Sequence, residues 1–186
     1  VNNKFKIRNL YYSIEGKISD MELITKEKKA ITKYLTSYDS KIILKDTNIK
    51  LIKLKSGQIT ELDGLIKINK QYDNFKIKNE YDKFKKSFDI LGSFDLTNSI
   101  INLSKINFKK DKKIKSELNF DINFIINKYF YIKELNFISG KNKIFLSKIR
   151  LNKHFELEDI SQLQIKTFQK GLKNNDFLLK KTDKIK

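Results

Sequence analysis

Between Ser116 and Asn127 apolar and polar residues alternate. Leu118, Phe120, Ile122, Phe124 and Ile126 interleave with Asn119, Asp121, Asn123 and Asn127, and only Ile125 breaks the pattern. Successive side chains of a strand point to opposite faces. The segment therefore predicts a strand with Leu118, Phe120, Ile122 and Phe124 facing inward and Asn119, Asp121 and Asn123 facing solvent. Weaker versions of this alternation predict further strands over 5–14, 41–44, 49–54, 58–69, 74–78, 87–96, 100–109, 128–138, 143–151, 154–157, 163–168 and 176–180. Ser56-Gly57, Asp63-Gly64, Ser139-Gly140-Lys141-Asn142 and Lys173-Asn174-Asn175-Asp176 read as turns, because Gly, Asn and Asp accept a positive φ or bond locally to the backbone. Strands joined in sequence, without intervening helices, predict an all-β, mainly antiparallel meander.

One segment departs from this pattern. From Ile24 to Ser40, Ala30, Ile31, Tyr34, Leu35 and Tyr38 fall near helical spacing, which predicts one short helix over 24–40; two strands with a turn at Lys26 to Lys29 are the competing reading. A weak internal match aligns Phe94, Ile101, Leu103-Ser104-Lys105-Ile106 and Phe108 with Phe137, Ile144, Leu146-Ser147-Lys148-Ile149 and Leu151, suggesting a repeated hairpin. One short helix cannot cover so many amphipathic strands, and apolar surface left in water costs on the order of 25 cal/mol per Å². The sheet must curl on itself, pair with a second sheet or hold apolar ligands. A β-sandwich acting as a structural or binding module and a sheet curled into a hydrophobic groove both satisfy the pattern.

The 186 residues carry a net charge of +18, with no Cys, Pro or Trp. Such charge attracts nucleic acid phosphates, and a basic nucleic-acid-binding protein is one reading. Against it, Arg occurs only as Arg8 and Arg150, and the lysines are scattered instead of forming a stripe, so no specific nucleic acid partner is expected. A lysine-rich surface also favours anionic lipid headgroups. No stretch reaches the roughly 18 consecutive apolar residues of a membrane-spanning helix. The chain reads as a single β-rich segment, 1–186, of a longer protein, with a flexible Lys-rich tail over 181–186.

Catalytic chemistry has little to build on. His154 is the only histidine, cysteine ligands are lacking, and Glu156, Glu158 and Asp159, like Glu61 and Asp63, read as solvated turn residues. Neither a phosphate-binding Gly-rich motif nor a nucleophile elbow occurs. The expectation is a protein that is not an enzyme, with no catalytic residues, no metal and no cofactor.

The run from Phe88 to Lys180 resembles the bacterial AsmA-like proteins, particularly the YhdP-type members. The likeness rests on Ser93-Phe94-Asp95-Leu96-Thr97-Asn98, Glu117-Leu118-Asn119-Phe120-Asp121-Ile122, Leu146-Ser147-Lys148-Ile149 and Lys173-Asn174-Asn175-Asp176-Phe177. Gly16 to Leu23 is similar to the strand, Gly, strand units of that family. The resemblance implies a periplasmic segment of an inner-membrane-anchored envelope protein, its anchor outside this chain. It also implies a curved β-groove carrying phospholipid acyl chains toward the outer membrane. The groove-lining candidates are Phe94, Leu96, Leu118, Phe120, Ile122, Phe124, Ile132, Phe137, Ile144 and Leu146.

Overall fold

A computed structural model describes residues 11–24, 41–68, 71–169 and 171–182. Their strands are β1 (Tyr12–Ile24), β2 (Lys41–Lys53), β3 (Gly57–Lys67), β4 (Tyr72–Asp82), β5 (Ser87–Asp95), β6 (Ile101–Leu103), β7 (Phe108–Lys110), β8 (Ser116–Ile125), β9 (Tyr129–Ser139), β10 (Asn142–Asn152), β11 (Leu157–Gln169) and β12 (Leu172–Lys180). All but β6 and β7 form one curled, ten-stranded antiparallel meander in chain order. It is not closed into a barrel, since β1 and β12 remain its edges. Among the described residues no second sheet of comparable size faces it, so these strands do not form a sandwich.

Register sorts the side chains into two faces. One ladder of directly paired residues crosses all ten strands as Gly16, Ile49, Leu62, Ile77, Gly92, Phe120, Leu135, Leu146, Leu163 and Leu179. The neighbouring ladder runs Glu15, Lys50, Glu61, Lys78, Leu91, Asp121, Glu134, Ser147, Gln162 and Lys180. A period of two along each strand, multiplied by antiparallel pairing, gives a sheet apolar on one side and charged on the other. The alternation predicted for β8 is realised, with Phe120 on the first ladder and Asp121 on the second. Irregularities keep the faces in phase: the pairing skips between Lys45 and Asn48, where Asp46 has φ 48°, and between Asp121 and Ile122 opposite β9.

Several expectations are corrected. The strands expected over 41–44 and 49–54 are one strand, β2, bent at Asp46 instead of broken. Asp63-Gly64 is no turn but lies inside β3, where a Cβ on Gly64 would overlap the backbone of Thr47 across the β2 irregularity. Lys173 to Asp176 lies inside β12, because Gly171, at φ 81°, makes the turn earlier. The strand expected over 154–157 is instead the turn after β10, with only Leu157 in a strand, and the strand expected over 163–168 is the second half of β11. The strand expected over 100–109 is instead β6, a 3-10 turn at Ser104–Ile106 and β7, reversed at Asn107 with φ 47°. That disposes of the repeated hairpin: Leu103-Ser104-Lys105-Ile106 turns, whereas Leu146-Ser147-Lys148-Ile149 stays in β10 with only a bulge-like φ of 50° at Lys148. Of the tail expected over 181–186, Lys181 donates its N–H to Ser161 O at 2.8 Å and pairs with Asp159, and 183–186 lie outside the described residues. Ile24 ends β1, and the rest of the expected helix over 24–40 lies outside the described residues.

Candidate functional site: an apolar sheet face and its hairpin cap

All ten groove-lining candidates occupy the apolar side of the sheet or, in the case of Leu96, the loop that follows β5 onto it. Phe94, Leu118, Phe137 and Ile144 gather at one end, where β6, the 3-10 turn and β7 fold over them; Ile101, Phe108 and Leu96 complete a buried cluster. Phe108 meets Phe137 edge to face at 6.0 Å. A second cluster of Leu44, Ile66 and Phe75, with Ile77, Met21 and Leu62 against it, continues this core under β1 to β4, and Phe94 packs against both. Beside the hairpin a cavity of about 330 Å³ is lined by Ile68, Phe94, Leu96, Ile101, Leu103, Leu118, Leu135, Phe137 and Ile144, without one polar residue.

Phe120, Ile122, Phe124, Ile132 and Leu146 lie farther along the same face, beyond the hairpin, and are only half-buried. Here the side chains shield one another, and among the described residues no second layer covers them. Rings cross the strands in two rows. Phe75, Phe94 and Phe120 stack at 6.1 and 5.8 Å, and Tyr81, Phe88, Phe124, Phe130 and Phe155 follow at 4.7, 4.6, 6.4 and 6.1 Å. The result is an apolar trough, floored by aromatic and branched side chains and closed at one end by the hairpin.

Polar bonds fasten that closure. Lys110, 1% exposed, donates its ammonium to Leu96 O, Thr97 O and Ser99 O at 2.6, 3.0 and 2.6 Å. Burial pushes its pKa below the ordinary lysine value, against the pull of Asp73, Asp95 and Asp111. Asp73, on β4, accepts from the Asn98 N–H and from Ser99 Oγ, each at 3.1 Å. Burial pushes its carboxyl upward despite those bonds. On the other side, Asn175 Nδ2 on β12 donates to Ile106 O at 2.7 Å, and Asn174 Nδ2 to Asn107 O at 2.8 Å. The hairpin thus ties β4 to β12 across the trough end. Reasoning from sequence missed Ile101, Leu103, Phe108, Lys110 and Asp73 as parts of the site. A lysine in an alternating segment gives no sign that its ammonium will turn inward.

The opposite face differs in chemistry, being largely charged. Several of its charges pair: Lys50 with Glu15 at 2.6 Å, Lys76 with Asp63 at 3.0 Å, Lys133 with Asp89 at 2.9 Å and Asp121 at 3.2 Å. A depression of about 620 Å³ over Gly92 is lined by charged residues, among them Asp63, Lys76, Lys78 and Asp121, together with apolar ones such as Leu62, Ile77 and Leu91. His154 lies in the exposed turn after β10. Among the described residues no His, Asp or Glu side chains gather in a group that could hold a metal ion, and no helix is long and apolar enough to cross a membrane. Compared with known proteins, the chain matches no family model, no curated protein and no solved structure.

Proposed function

We propose that the apolar trough binds the acyl chains of phospholipids and that the chain serves as a non-enzymatic segment of a lipid carrier. The observation that carries this reading is the unbroken apolar ladder over ten strands, from Gly16 to Leu179, over which the described residues place a covering layer only at the hairpin. A face of that extent is costly in water, and an acyl chain is an apolar ligand with the length and flexibility to lie along it. The charged reverse face keeps such a segment soluble while it carries lipid. The AsmA-like resemblance agrees with this reading and adds the setting: a periplasmic segment of an inner-membrane-anchored protein, delivering phospholipid across the envelope. Native mass spectrometry of the purified chain tests it. Adducts with phospholipid masses, lost when lipid is extracted with detergent, are expected; a chain that stays lipid-free when offered phospholipid vesicles defeats the reading.

A further inference from the structure

The end of the sheet away from the hairpin carries a second pattern. Four turns emerge there, joining β2 to β3, β4 to β5, β8 to β9 and β10 to β11. Register puts their bases in one row, since Lys53 pairs with Gln58, Gln58 with Tyr81, Tyr81 with Phe88, Phe88 with Phe124 and Phe124 with Phe130. Each turn exposes one large apolar side chain: Leu54 (39%), Phe84 (71%), Ile126 (46%) and Phe155 (72%). Each also carries lysine beside it, as Lys55, Lys83 with Lys86, Lys128 and Lys153. None of these five lysines forms an ion pair among the described residues, whereas Lys50, Lys76, Lys78 and Lys133 of the charged face do.

The backbone holds these rings outward. Asp82 Oδ1 accepts the N–H groups of Phe84 and Lys85 at 2.8 and 3.0 Å, fixing the turn between β4 and β5. Asn152 Oδ1 does the same for His154 and Glu156 at 2.8 and 3.1 Å. Phe155 between them has φ 62°, a left-handed conformation that an aromatic residue rarely adopts. Neither ring is placed there by burial. Exposed aromatic and aliphatic tips ringed by unpaired lysines have the chemistry of an interfacial membrane contact, with apolar tips at the acyl boundary and ammonium groups among anionic headgroups.

We propose that this row of turns docks on the surface of an anionic phospholipid bilayer. The aromatic row from Tyr81 to Phe155 begins at these turns, so a docked chain would present the uncapped end of its trough to the lipid. The docking does not depend on what the trough holds. Duplex nucleic acid, the other polyanion, has no use for the apolar tips.

Flotation with vesicles of phosphatidylglycerol and phosphatidylcholine, against vesicles of phosphatidylcholine alone, tests this. Binding is expected only to the anionic vesicles, weakening as salt rises. The variant Phe84→Ser/Phe155→Ser should bind roughly tenfold more weakly with an unchanged thermal unfolding midpoint, because two exposed apolar anchors are removed. Lys112→Gln/Lys113→Gln/Lys115→Gln, at the hairpin end, should bind as the parent does. Equal binding of the parent and the double Phe variant would overturn the proposal, as would loss of binding in the hairpin-end variant. Displacement of vesicles by duplex DNA with no effect of the Phe substitutions would assign the patch to nucleic acid instead. Absence of co-purified phospholipid would count against the trough reading and leave this one standing, so the two can fail separately.

Discussion

The ring of Phe120 on β8 lies over the bare backbone of its paired neighbour Gly92 on β5: a Cβ built on Gly92 would overlap three atoms of that ring. Glycine in a strand interior ordinarily weakens it, so its place in the middle of an otherwise apolar ladder calls for a reason. Here the missing side chain lets an aromatic ring fill two positions of the trough floor and stack on Phe94 at 5.8 Å.

Gly92→Val should therefore destabilise the chain although valine favours strands. The added branches must displace Phe120, at a cost of about 1–3 kcal/mol. Urea unfolding measures the difference. A valine variant as stable as the parent would show that the ring is free to move aside.

Phe108 is the keystone of the hairpin, 3% exposed and packed edge to face on Phe137. Phe108→Ala is expected to cost about 3–5 kcal/mol by the usual loss for a buried aromatic ring, and to enlarge the adjoining cavity. Loss of hydrogen-exchange protection confined to β6 and β7 would mean that the hairpin opens locally while the large sheet holds.

Two buried titrating groups give the hairpin a pH signature. Asp73 has its folded pKa raised above the unfolded value, so the native state binds the proton more tightly. Its ionised form is a cost at neutral pH that lifts as pH falls through the folded value toward the unfolded one. Lys110 has its folded pKa lowered, and its cost lifts as pH rises from the folded value through the ordinary lysine range. Carboxylates outside the core such as Asp82 and Asp159, with lowered pKa, act in the opposite sense and lose their contribution in acid. The comparison must therefore be with a matched variant. Relative to Asp73→Asn, the parent should gain stability between pH 7 and pH 4, read by urea unfolding at each pH. A constant difference would mean that the Asp73 carboxyl is not held in a dry site.

What strand alternation reveals is parity, and parity was enough for the sheet. Leu118, Phe120, Ile122 and Phe124 share a face because a period of two leaves no other arrangement, and sequential pairing then aligns them with Leu135, Leu146 and Leu163. Parity says nothing about where a chain leaves the sheet. Leu103-Ser104-Lys105-Ile106 and Leu146-Ser147-Lys148-Ile149 are the same pattern, yet the first turns and the second does not. The difference lies in what each packs against. Phe108 and Ile101 gain a partner in Phe137 only by folding back, while Ile144 and Leu146 already lie between β9 and β11. Likewise Asp63-Gly64 carries turn chemistry, but its glycine serves a close approach to Thr47. Such contacts are made by residues distant in sequence, which local pattern does not encode.

The trough itself is tested by a charge. Phe120 sits on its floor beyond the hairpin, half-buried among side chains of its own face, and no second layer of the described residues lies above it. In a close-packed core, Phe120→Glu would bury an unpaired carboxylate and cost several kcal/mol, enough to unfold a domain of ordinary stability. On an open trough floor the carboxylate turns to water, and the loss is expected to be about 1–2 kcal/mol, mainly from the stacking on Phe94 and the cover over Gly92. The same charge stands in the path of an acyl chain. Phe120→Glu should therefore remain folded by circular dichroism and thermal unfolding while losing photo-crosslinking to a phospholipid carrying a diazirine on its acyl chain. Asn119→Glu, one residue away on the charged face, should keep both properties. A Phe120→Glu protein that unfolds outright would show that the face is packed shut and closed to lipid. One that folds and still crosslinks as the parent does would place the acyl chain elsewhere.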